Sequence, residues 1–553
     1  MKRIIILSVA FLCVANLQSS IFNFQSPVDY EISLAGNFGE PRPNHFHGGL
    51  DVRTEGREGK HIYAIADGYV SRITVGKDGF GNAIYITHPT GQTSVYCHLK
   101  AFSPRIKAAL RKYQYQHETC EADARLTPLD VPVSAGQFIA LSGNTGHSTA
   151  PHLHLEVHDT RTGNMLDPYQ FLCEFIQDTV PPQAHAMMAI PQHDGFFNGS
   201  QSKKTFGRNN ELTAWGRVGF AIWANDYMQG AYNHYGIHET LLYVDGQMVF
   251  HSVVDNIPLS HNRMVNSWGD YEHWRRSHVW YMKSFKEPGN ALAFLQTDEQ
   301  RGIINFNEER DYQLEYILRD FKGNETRVPF TVLGQRPATS SQSCSPLRTL
   351  LRWNRTCSYS RPGVQLVVPY GLVAADTPFS PIVNQQPDGY SDAYQFSQAS
   401  LPLMRDAELS IYARRAVTDN PTAEFDPTKL YITNENGRFM GGNYQDGWIT
   451  GSIRELASCY EVAYDDQPPT VNPISLTGDV LRLSVTDGKS GISKWTASVD
   501  GHFIVFDAIE KSSTFACELR ESWLRRSGKP HQLRFEVTDN RGNTQTYETT
   551  FTY

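Results

Sequence analysis

The chain has 553 residues, too many for a single hydrophobic core, and its length predicts about three to four domains. Hydrophobic residues make up 40% and charged residues 20% of the chain, and the net charge of -8 gives no electrostatic reason to expect a nucleic-acid partner. Gly, Pro, Tyr and Phe are plentiful and short alternating runs recur, so the sequence favours a mostly β architecture.

Residues 1–20 have the layout of a cleaved secretory signal peptide. A basic start is followed by an apolar run from Ile4 to Ala15, which is too short to span a bilayer comfortably. Cleavage fits after Ala15 or after Ser20. Cys13 leaves lipid anchoring as an alternative, although a small residue is expected before a lipidated cysteine and Leu12 stands there. We therefore expect an exported protein of the periplasm or cell envelope, with no transmembrane segment after signal removal.

Histidines crowd residues 21–178, where strand-like runs alternate with Gly-rich turns and predict a small, strongly curved antiparallel β domain. Three motifs follow one another: "HFHGGLDV" with His47 and Asp51, "YCHL" with His98, and "STAPHLHLEV" with His152 and His154. Catalytic zinc takes three protein ligands, often two imidazoles and one carboxylate, and keeps one position for water. On a strand, alternate side chains share one face about 6.5–7 Å apart, so one histidine can bind metal while its neighbour reaches water or substrate.

In this order the three motifs closely resemble those of the lysostaphin/LytM-type zinc metallopeptidases. That family shows His-x-Gly-[apolar]-Asp, then Tyr-x-His-Leu, then Gly-Pro-His-Leu-His-[apolar]-Glu. This chain departs from the pattern at Ala150, where the family usually has glycine, and in residues 101–130, which are longer than a simple connection between strands. We read residues 101–130 as a partly helical insertion near the cleft that can shape substrate access.

The resemblance implies a role for each motif residue. It makes His47, Asp51 and His154 the ligands of one zinc ion, and it makes His98 and His152 catalytic imidazoles beside the metal. It also implies an endopeptidase that cuts the peptide cross-bridges of peptidoglycan, so peptidoglycan stem peptides are the expected partners. A D-alanyl–diaminopimelate bond is the first choice and a polyglycine bridge the second.

Two alternatives of another class stay open. A family member without turnover would serve as a binding or activator protein, although all five key positions are filled here. A surface glycan-binding protein would use exposed aromatic side chains, for which residues 273–283 are the most aromatic candidate, although tryptophans there fit a core equally well.

The other polar residues of the domain are expected to have lesser roles. His45 is expected beside the ligands or at the surface, and His88 is expected to shape a hairpin. Cys97 is expected to be a small buried hydrophobe rather than a nucleophile. The remaining expectations are exposed or cleft-edge positions for His61, His147 and His158, and substrate contacts for Asn82 and Asn144.

Two Pro-Pro segments, at residues 181–182 and 468–469, mark linkers. The same landmarks follow each linker in one order and indicate a diverged internal repeat: Asp226, Gly236, Asp245 and Gly323-Asn324 after the first, and Asp487, Gly491, Asp500 and Gly542-Asn543 after the second. Residues 183–335 and 468–553 resemble bacterial Ig-like β-sandwich modules. Their Asp-x-x-Gly-Asn segments are expected to form turns, with a calcium site as the alternative, and residues 336–465 are expected to form an additional β-rich module.

Seven cysteines follow the signal segment, an odd number at irregular spacing, so they do not form a disulfide framework. Cys344 and Cys357 are the most credible local pair. The chain has no C-x-x-C motif, so a thiolate zinc site has no support.

Overall fold

The computed structural model describes residues 24–76, 79–207, 211–337, 349–398, 402–414, 425–509 and 511–553. The predicted signal segment and Cys344, with its predicted pairing, lie outside the described residues. Strands dominate in the described parts, as the composition predicted. In those parts no helix combines the length and the apolar character needed to cross a membrane.

The first block, residues 24–175, is built around an antiparallel sheet. Its strands are β1 (Leu34–Gly36), β2 (Pro41–Arg42), β3 (His45–Phe46), β4 (Gly49–Arg53), β5 (His61–Tyr63), β6 (Gly68–Val75), β7 (Ala83–Thr87), β8 (Gln92–Cys97), β9 (Ala101–Phe102), β10 (Ala122–Arg125), β11 (Pro132–Val133), β12 (Phe138–Leu141), β13 (His152–Asp159) and β14 (Met165–Leu166). The main sheet has the order β1-β4-β13-β8-β7-β6-β10, and β5, β12 and β9 form a smaller sheet.

Strand β13 lies in the middle of the main sheet, between β4 and β8. The register places His154 opposite Asp51 of β4 on one side and opposite Cys97 of β8 on the other. Leu153 and Leu155 are fully buried in the core behind this strand. The alternation of the sequence therefore becomes a strand with an apolar back and a front that carries histidines.

The insertion at residues 101–130 contains α1 (Pro104–His117), as predicted, between β9 and β10. Proline at the start of the helix suits its first turn, and Ile106 and Leu110 are buried against the first block. The short α2 (Tyr169–Leu172) and a 3-10 helix (Cys173–Phe175) end the block.

The second block, residues 183–334, shares a hydrophobic core with the first. Its strands are β15 (Gln183–Pro191), β16 (Phe196–Phe197), β17 (Lys204–Phe206), β18 (Thr213–Tyr227), β19 (His234–Tyr235), β20 (Glu239–Val244), β21 (Gln247–Val253), β22 (Asn256–Ile257), β23 (Met282–Lys283), β24 (Leu295–Thr297), β25 (Ile304–Phe306), β26 (Asp311–Arg319) and β27 (Glu325–Gly334). Its helices are a 3-10 helix (Leu259–Met264), α3 (Val265–Trp268) and α4 (Tyr271–Ser277). Phe38, Phe46 and Met165 of the first block lie in the core of the second, and β14 pairs with β22.

The third and fourth blocks, residues 350–464 and 470–552, consist of strands and short 3-10 helices. The third contains β28 (Leu350–Leu351), β29 (Cys357–Arg361), β30 (Val364–Val368), β31 (Thr377–Pro378), β32 (Ile382–Asn384), β33 (Ala393–Gln395), β34 (Pro402–Tyr412), a 3-10 helix (Pro427–Lys429), β35 (Leu430–Asn434), β36 (Asn443–Gln445), β37 (Trp448–Glu455) and β38 (Tyr460–Tyr464). The fourth contains β39 (Thr470–Ser475), β40 (Val480–Thr486), β41 (Ile492–Val499), β42 (His502–Phe503), β43 (Asp507–Ala508), β44 (Thr514–Glu518), a 3-10 helix (Leu519–Glu521), β45 (Pro530–Asp539) and β46 (Thr544–Thr552).

The fourth block is a two-layer structure that packs against α1. Its two four-stranded sheets, β39-β40-β44-β43 and β42-β41-β45-β46, contribute to one core and are compatible with a β-sandwich. The guanidinium of Arg111 on α1 pairs with Asp507 at 2.8 Å, and Lys107 pairs with Glu521. Cys120, which follows the helix, is buried in the same core. The insertion is therefore a docking surface for the last block.

The aromatic stretch at residues 273–283 is partly buried. The rings of Trp274 and Trp280 stack with centroids 5.4 Å apart, and Tyr281 is buried. Trp280 also lines a cavity of about 390 Å³ together with Gly39 of the first block. Part of this stretch therefore lines a cavity at the junction of the first two blocks, and its use as an aromatic platform stays a prediction.

Replacing Leu155 with alanine should destabilise the first block by about 2–5 kcal/mol, because the fully buried side chain would leave a cavity behind β13. Hydrogen–deuterium exchange of the β13 amides measures this loss as faster exchange. Leu129→Ala is the matched control, since the Leu129 side chain is 91% exposed, and its exchange should stay unchanged. Equal protection in both variants would contradict the buried role of Leu155.

Candidate metal centre

Three side-chain atoms converge at the front of β13. His47 Nε2 lies 2.9 Å from Asp51 Oδ1 and 2.9 Å from His154 Nδ1, and His154 Nδ1 lies 2.8 Å from Asp51 Oδ1. All three residues are buried. His47 is held in the turn between β3 and β4, while Asp51 and His154 face each other across the β4–β13 pairing. Two imidazoles and one carboxylate are the donor set that a catalytic zinc prefers.

In each of these imidazoles, the hydrogen bond made by the nitrogen that faces away from the centre (the outer nitrogen) fixes the position of the ring proton. It thereby decides whether the nitrogen that faces the centre (the inner nitrogen) carries a lone pair. His47 Nδ1 donates to the Asn37 carbonyl at 2.6 Å, and His154 Nε2 donates to Glu156 Oε1 at 2.9 Å. Carbonyl and carboxylate oxygens only accept, so in the neutral rings both protons point outward. The inner nitrogens then direct lone pairs at each other and at Asp51. Such an arrangement fits a metal cation.

The pKa values of these groups reflect the same convergence. Burial lowers the pKa of His154, but its hydrogen bonds to Asp51 and Glu156 outweigh this and raise it to about 9. Burial acts to raise the pKa of Asp51. The charge of the nearby His47 and the hydrogen bonds that histidines make to Asp51 outweigh burial, so the pKa of Asp51 lies well below its ordinary value. A proton on His154 therefore offsets the negative charge of Asp51 and Glu156, as a metal ion would. Metal binding has to displace this proton.

His98 and His152 stand beside this centre, with ring centroids 5.0 Å apart. His98 Nδ1 donates to the Thr145 carbonyl at 2.7 Å, and His152 Nδ1 donates to the Ala150 carbonyl at 2.8 Å. Burial, followed by the neighbouring histidines, lowers the pKa of His98 to about 3, so its ring is neutral. Nδ1 of each ring is thus engaged by a backbone carbonyl, and His152 Nε2 lies 3.3 Å from Asp51 Oδ1.

The geometry also brings together a second possible ligand set, His98, His152 and His154, whose nitrogen atoms lie within 4.8 Å of one another. The set of His47, Asp51 and His154 is tighter, with separations of 2.8–2.9 Å, and includes a carboxylate. His154 belongs to both sets. His98 has a φ of 60° immediately after β8, a strained backbone conformation of the kind found at functional sites.

The other predicted residues lie around the centre rather than in it. His45, His61 and His147 are exposed. His88 is buried between the Asp67 carbonyl and Ser94 Oγ, each at 2.8 Å, and has the predicted structural role. Cys97 is buried, as predicted, and burial raises the pKa of its thiol.

Asn82 and Asn144 hold loops together in this structure. The Asn82 side chain donates to the Leu99 carbonyl at 3.1 Å. The Asn144 side chain accepts from Ser148 at 2.6 Å, and its carbonyl accepts from Lys511 of the fourth block at 2.7 Å. Their predicted contact with substrate stays a prediction.

His158 is partly buried rather than exposed, and its Nε2 donates to Glu156 Oε2 at 2.5 Å. The alternative position at the cleft edge stays a prediction. Glu156, which we did not assign a role, joins His154 to His158. The alternation that puts His152 and His154 on one face continues to Glu156 and His158, so the sequence pattern contained this chain of contacts.

Two further residues support the centre from positions that no local pattern reveals. Arg42 Nη2 donates to Asp51 Oδ2 at 2.7 Å and occupies the carboxylate oxygen that faces away from the histidines. The Asn37 side chain is buried and makes paired hydrogen bonds with the backbone of Gly236, both at 2.9 Å. The second block therefore holds the residue whose carbonyl orients His47.

Three convergent candidate ligands with two further imidazoles are typical of a mononuclear metallohydrolase site. Residues 45–115, within the first block, match the family described as Peptidase family M23. The matched range includes His47, Asp51 and His98. Residues 348–465 match a second family, the Zu5-like domain, within the range expected to form a β-rich module.

Similar proteins cover part of the chain. The DD-carboxypeptidase/endopeptidase Mpg of Neisseria meningitidis serogroup B is 33% identical over 110 residues, which are 20% of this chain and 19% of that protein. The chain therefore spans about a fifth of that relative's length. A zinc-containing peptidase from Vibrio cholerae is 25% identical, with a TM-score of 0.20, over 27% of this chain and 39% of that one. The lysostaphin catalytic domain from Staphylococcus simulans is 22% identical, with a TM-score of 0.19, over 28% and 96%.

Replacing His47 and His98 separately distinguishes the two ligand sets. His47→Ala should lose stoichiometric zinc, because it removes one of the three tight donors, and His98→Ala should keep it. Zinc content by inductively coupled plasma mass spectrometry, after dialysis against zinc and removal of free metal, is the measurement. His61→Ala, which changes an exposed histidine of the same block, is the control. Zinc retained by His47→Ala and lost from His98→Ala would assign the metal to the other set.

Glu156→Gln should weaken zinc binding about 10–100-fold, because a neutral amide replaces the carboxylate that accepts the His154 proton. Competition with a chromophoric chelator measures the affinity. Glu118→Gln, at an exposed position after α1, is the control for loss of one negative charge. An unchanged affinity in Glu156→Gln would show that Glu156 does not orient the ligand.

Proposed function

We propose that this protein is an exported, zinc-dependent endopeptidase that hydrolyses peptide cross-bridges of peptidoglycan in cell-wall remodelling. The observation that carries the proposal is the convergence of His47, Asp51 and His154 beside two imidazoles outside that ligand set. The M23 family match supports a peptidase. The export that we expect from residues 1–20 would bring the enzyme to its substrate.

The bond that we propose as the target is D-alanyl–diaminopimelate, with polyglycine bridges second. The relative from Neisseria is described as a DD-carboxypeptidase/endopeptidase, which supports a bond next to D-alanine. The short match to that protein makes the substrate a proposal in its own right. The insertion with α1 and the loop at residues 142–151 are the segments that we expect to select the substrate.

A zinc ion held by His47, Asp51 and His154 would supply Lewis-acid polarisation of a carbonyl and would acidify a water molecule. The roles of His98 and His152 follow from their hydrogen bonds. Because both Nδ1 atoms are engaged by backbone carbonyls, only Nε2 of each ring can exchange a proton with the reacting atoms.

His152 is the better placed of the two to take the proton of the attacking water. Its Nε2 lies 3.3 Å from Asp51 Oδ1, at the edge of the ligand cluster. The neutral ring of His98 can accept a hydrogen bond from the water and align it. Once a ring has accepted the proton, it becomes a donor that can stabilise the developing oxyanion or protonate the leaving amine.

His152→Ala and His98→Ala should keep zinc but lose turnover by about 10²–10⁴-fold, the usual contribution of a general acid–base group. Mass spectrometry of digested cross-linked muropeptides measures cleavage, with D-alanyl–diaminopimelate and glycine-bridged substrates in parallel. His61→Ala again serves as the control. Wild-type protein with stoichiometric zinc that leaves both substrates uncut would contradict the proposed hydrolase and favour a binding or activator protein.

A further inference from the structure

Three carboxylates meet away from the peptidase centre, where the first block joins the second. Asp178 follows the end of the first block, Asp226 lies near the end of β18, and Asp320 opens the turn between β26 and β27. An oxygen from each lies within 4.8 Å of the other two. Their exposed fractions are 8%, 4% and 4%, so all three are removed from water.

No lysine, arginine or histidine in the described parts of the chain forms an ion pair with these carboxylates. Hydrogen bonds from backbone groups offset part of the negative charge of the cluster. The Val180 N–H donates to Asp178 Oδ1 at 3.0 Å. Asn324 donates to Asp320 from its backbone at 2.9 Å and from its side chain at 2.6 Å. The ammonium of Lys322 is directed to the Cys173 carbonyl. Lys322 and His238 line a small cavity beside the cluster, but neither forms an ion pair with the three carboxylates. Burial raises the pKa of Asp178, and the charge of Lys322 acts to lower it.

Asp226 supplies an observation that is separate from the clustering. Its Oδ1 is buried and has no hydrogen-bond partner, an arrangement that costs free energy unless a ligand fills it. Asp178 and Asp226 line the same small cavity, which has a volume of about 10 Å³, roughly the space of one water molecule or ion. Burial, followed by repulsion from Asp178 and Asp320, raises the pKa of Asp226 to about 8. The unpartnered oxygen thus belongs to a side chain that lines this small cavity.

The internal repeat provides a comparison within the same chain. Asp465, Asp487 and Asp539 form an equivalent cluster at the start of the fourth block. Asn543 bonds Asp539 and the Asp465 carbonyl there, as Asn324 bonds Asp320 and the Asp178 carbonyl in the first cluster.

The two clusters differ in how their carboxylates are satisfied. Backbone N–H groups donate to both oxygens of Asp465, at 3.2 and 3.1 Å, and two more donate to Asp487 at 3.0 and 2.7 Å. Asp226, which corresponds to Asp487, has no such pair of donors. The first cluster therefore contains a buried carboxylate oxygen without a hydrogen-bond donor, a position that a cation can fill.

We propose that Asp178, Asp226 and Asp320 bind a calcium ion that ties the end of the first block to the second block. Calcium takes carboxylate and carbonyl oxygens in a flexible shell of 6–8 ligands, to which each of the three carboxylates can contribute an oxygen. Magnesium keeps several of its water molecules, and the cavity leaves little room for them. The proposal is independent of the peptidase reaction.

The position of this ion would also support the peptidase centre. Asn37 lines the same cavity, and its carbonyl accepts the proton of His47 Nδ1. Phe321, next to Asp320, stacks on Tyr169 of the first block with ring centroids 5.1 Å apart. Calcium bound here would hold both sides of the junction that positions the His47 loop.

The experiment measures calcium binding to the full chain after its peptidase site has been saturated with zinc. Isothermal titration calorimetry with calcium chloride gives affinity and stoichiometry, and circular dichroism gives the unfolding temperature with and without calcium. The proteins are wild type, Asp226→Asn, and Asp487→Asn as the matched control from the second cluster. A parallel titration uses magnesium chloride.

We expect wild type and Asp487→Asn to bind a single calcium ion and to unfold at least about 3 °C higher with excess calcium. Asp226→Asn should bind at least about tenfold more weakly and show no such rise. If Asp226→Asn does not fold, Asp178→Asn should show the same loss.

Three results would overturn the proposal. They are no saturable calcium binding by wild type, unchanged binding in the Asp226→Asn and Asp178→Asn variants, and tighter binding of magnesium than of calcium. An Asp226→Asn protein that is more stable than wild type, with no response of either to calcium, would show instead that the cluster shares a proton. None of these readouts depends on peptidase turnover.

Discussion

The direction of two imidazole protons is the constraint on which the metal centre depends. The Asn37 carbonyl and the Glu156 carboxylate draw the protons of His47 and His154 outward, so the inner nitrogens meet Asp51 as lone pairs. At separations of 2.8–2.9 Å these donors need a positive charge between them, either a proton or a metal ion. The site is therefore built by the groups behind the ligands as much as by the ligands themselves.

Those supporting groups belong to more than one block. The Asn37 side chain forms paired hydrogen bonds with the backbone of Gly236 in the second block. Phe46, next to His47, packs against Trp268 and Phe294 in the shared core. A peptidase block without its neighbour would expose this apolar surface and free the loop that orients His47. The second block is thus part of the architecture of the centre rather than an independent appendage.

Local patterns identified the candidate donors and the strand faces that carry them, and the family resemblance assigned their separate roles. The alternation in β13 placed His152 and His154 together and buried Leu153 and Leu155, because a strand repeats every two residues. The helix in the insertion also followed from its pattern. Arg42, Asn37 and the docking of the fourth block did not, since their contacts join residues far apart in the chain. The contact of Glu156 with His154 and His158 lies on the same alternation, continued along β13.

The two imidazoles beside the candidate ligands are also oriented by groups behind them. His98 is oriented by the Thr145 carbonyl, and the adjacent Asn144 carbonyl accepts a hydrogen bond from Lys511 of the fourth block. The fourth block also contacts α1 through the ion pair of Arg111 with Asp507, and Cys120 is buried in its core. The second block therefore stabilises the loop that carries His47, and the fourth block stabilises the loop that orients His98. Because a shift of about 1 Å in a catalytic group can cost about 10²-fold in rate, the long β-rich remainder of the chain has a physical reason to be joined to the peptidase block.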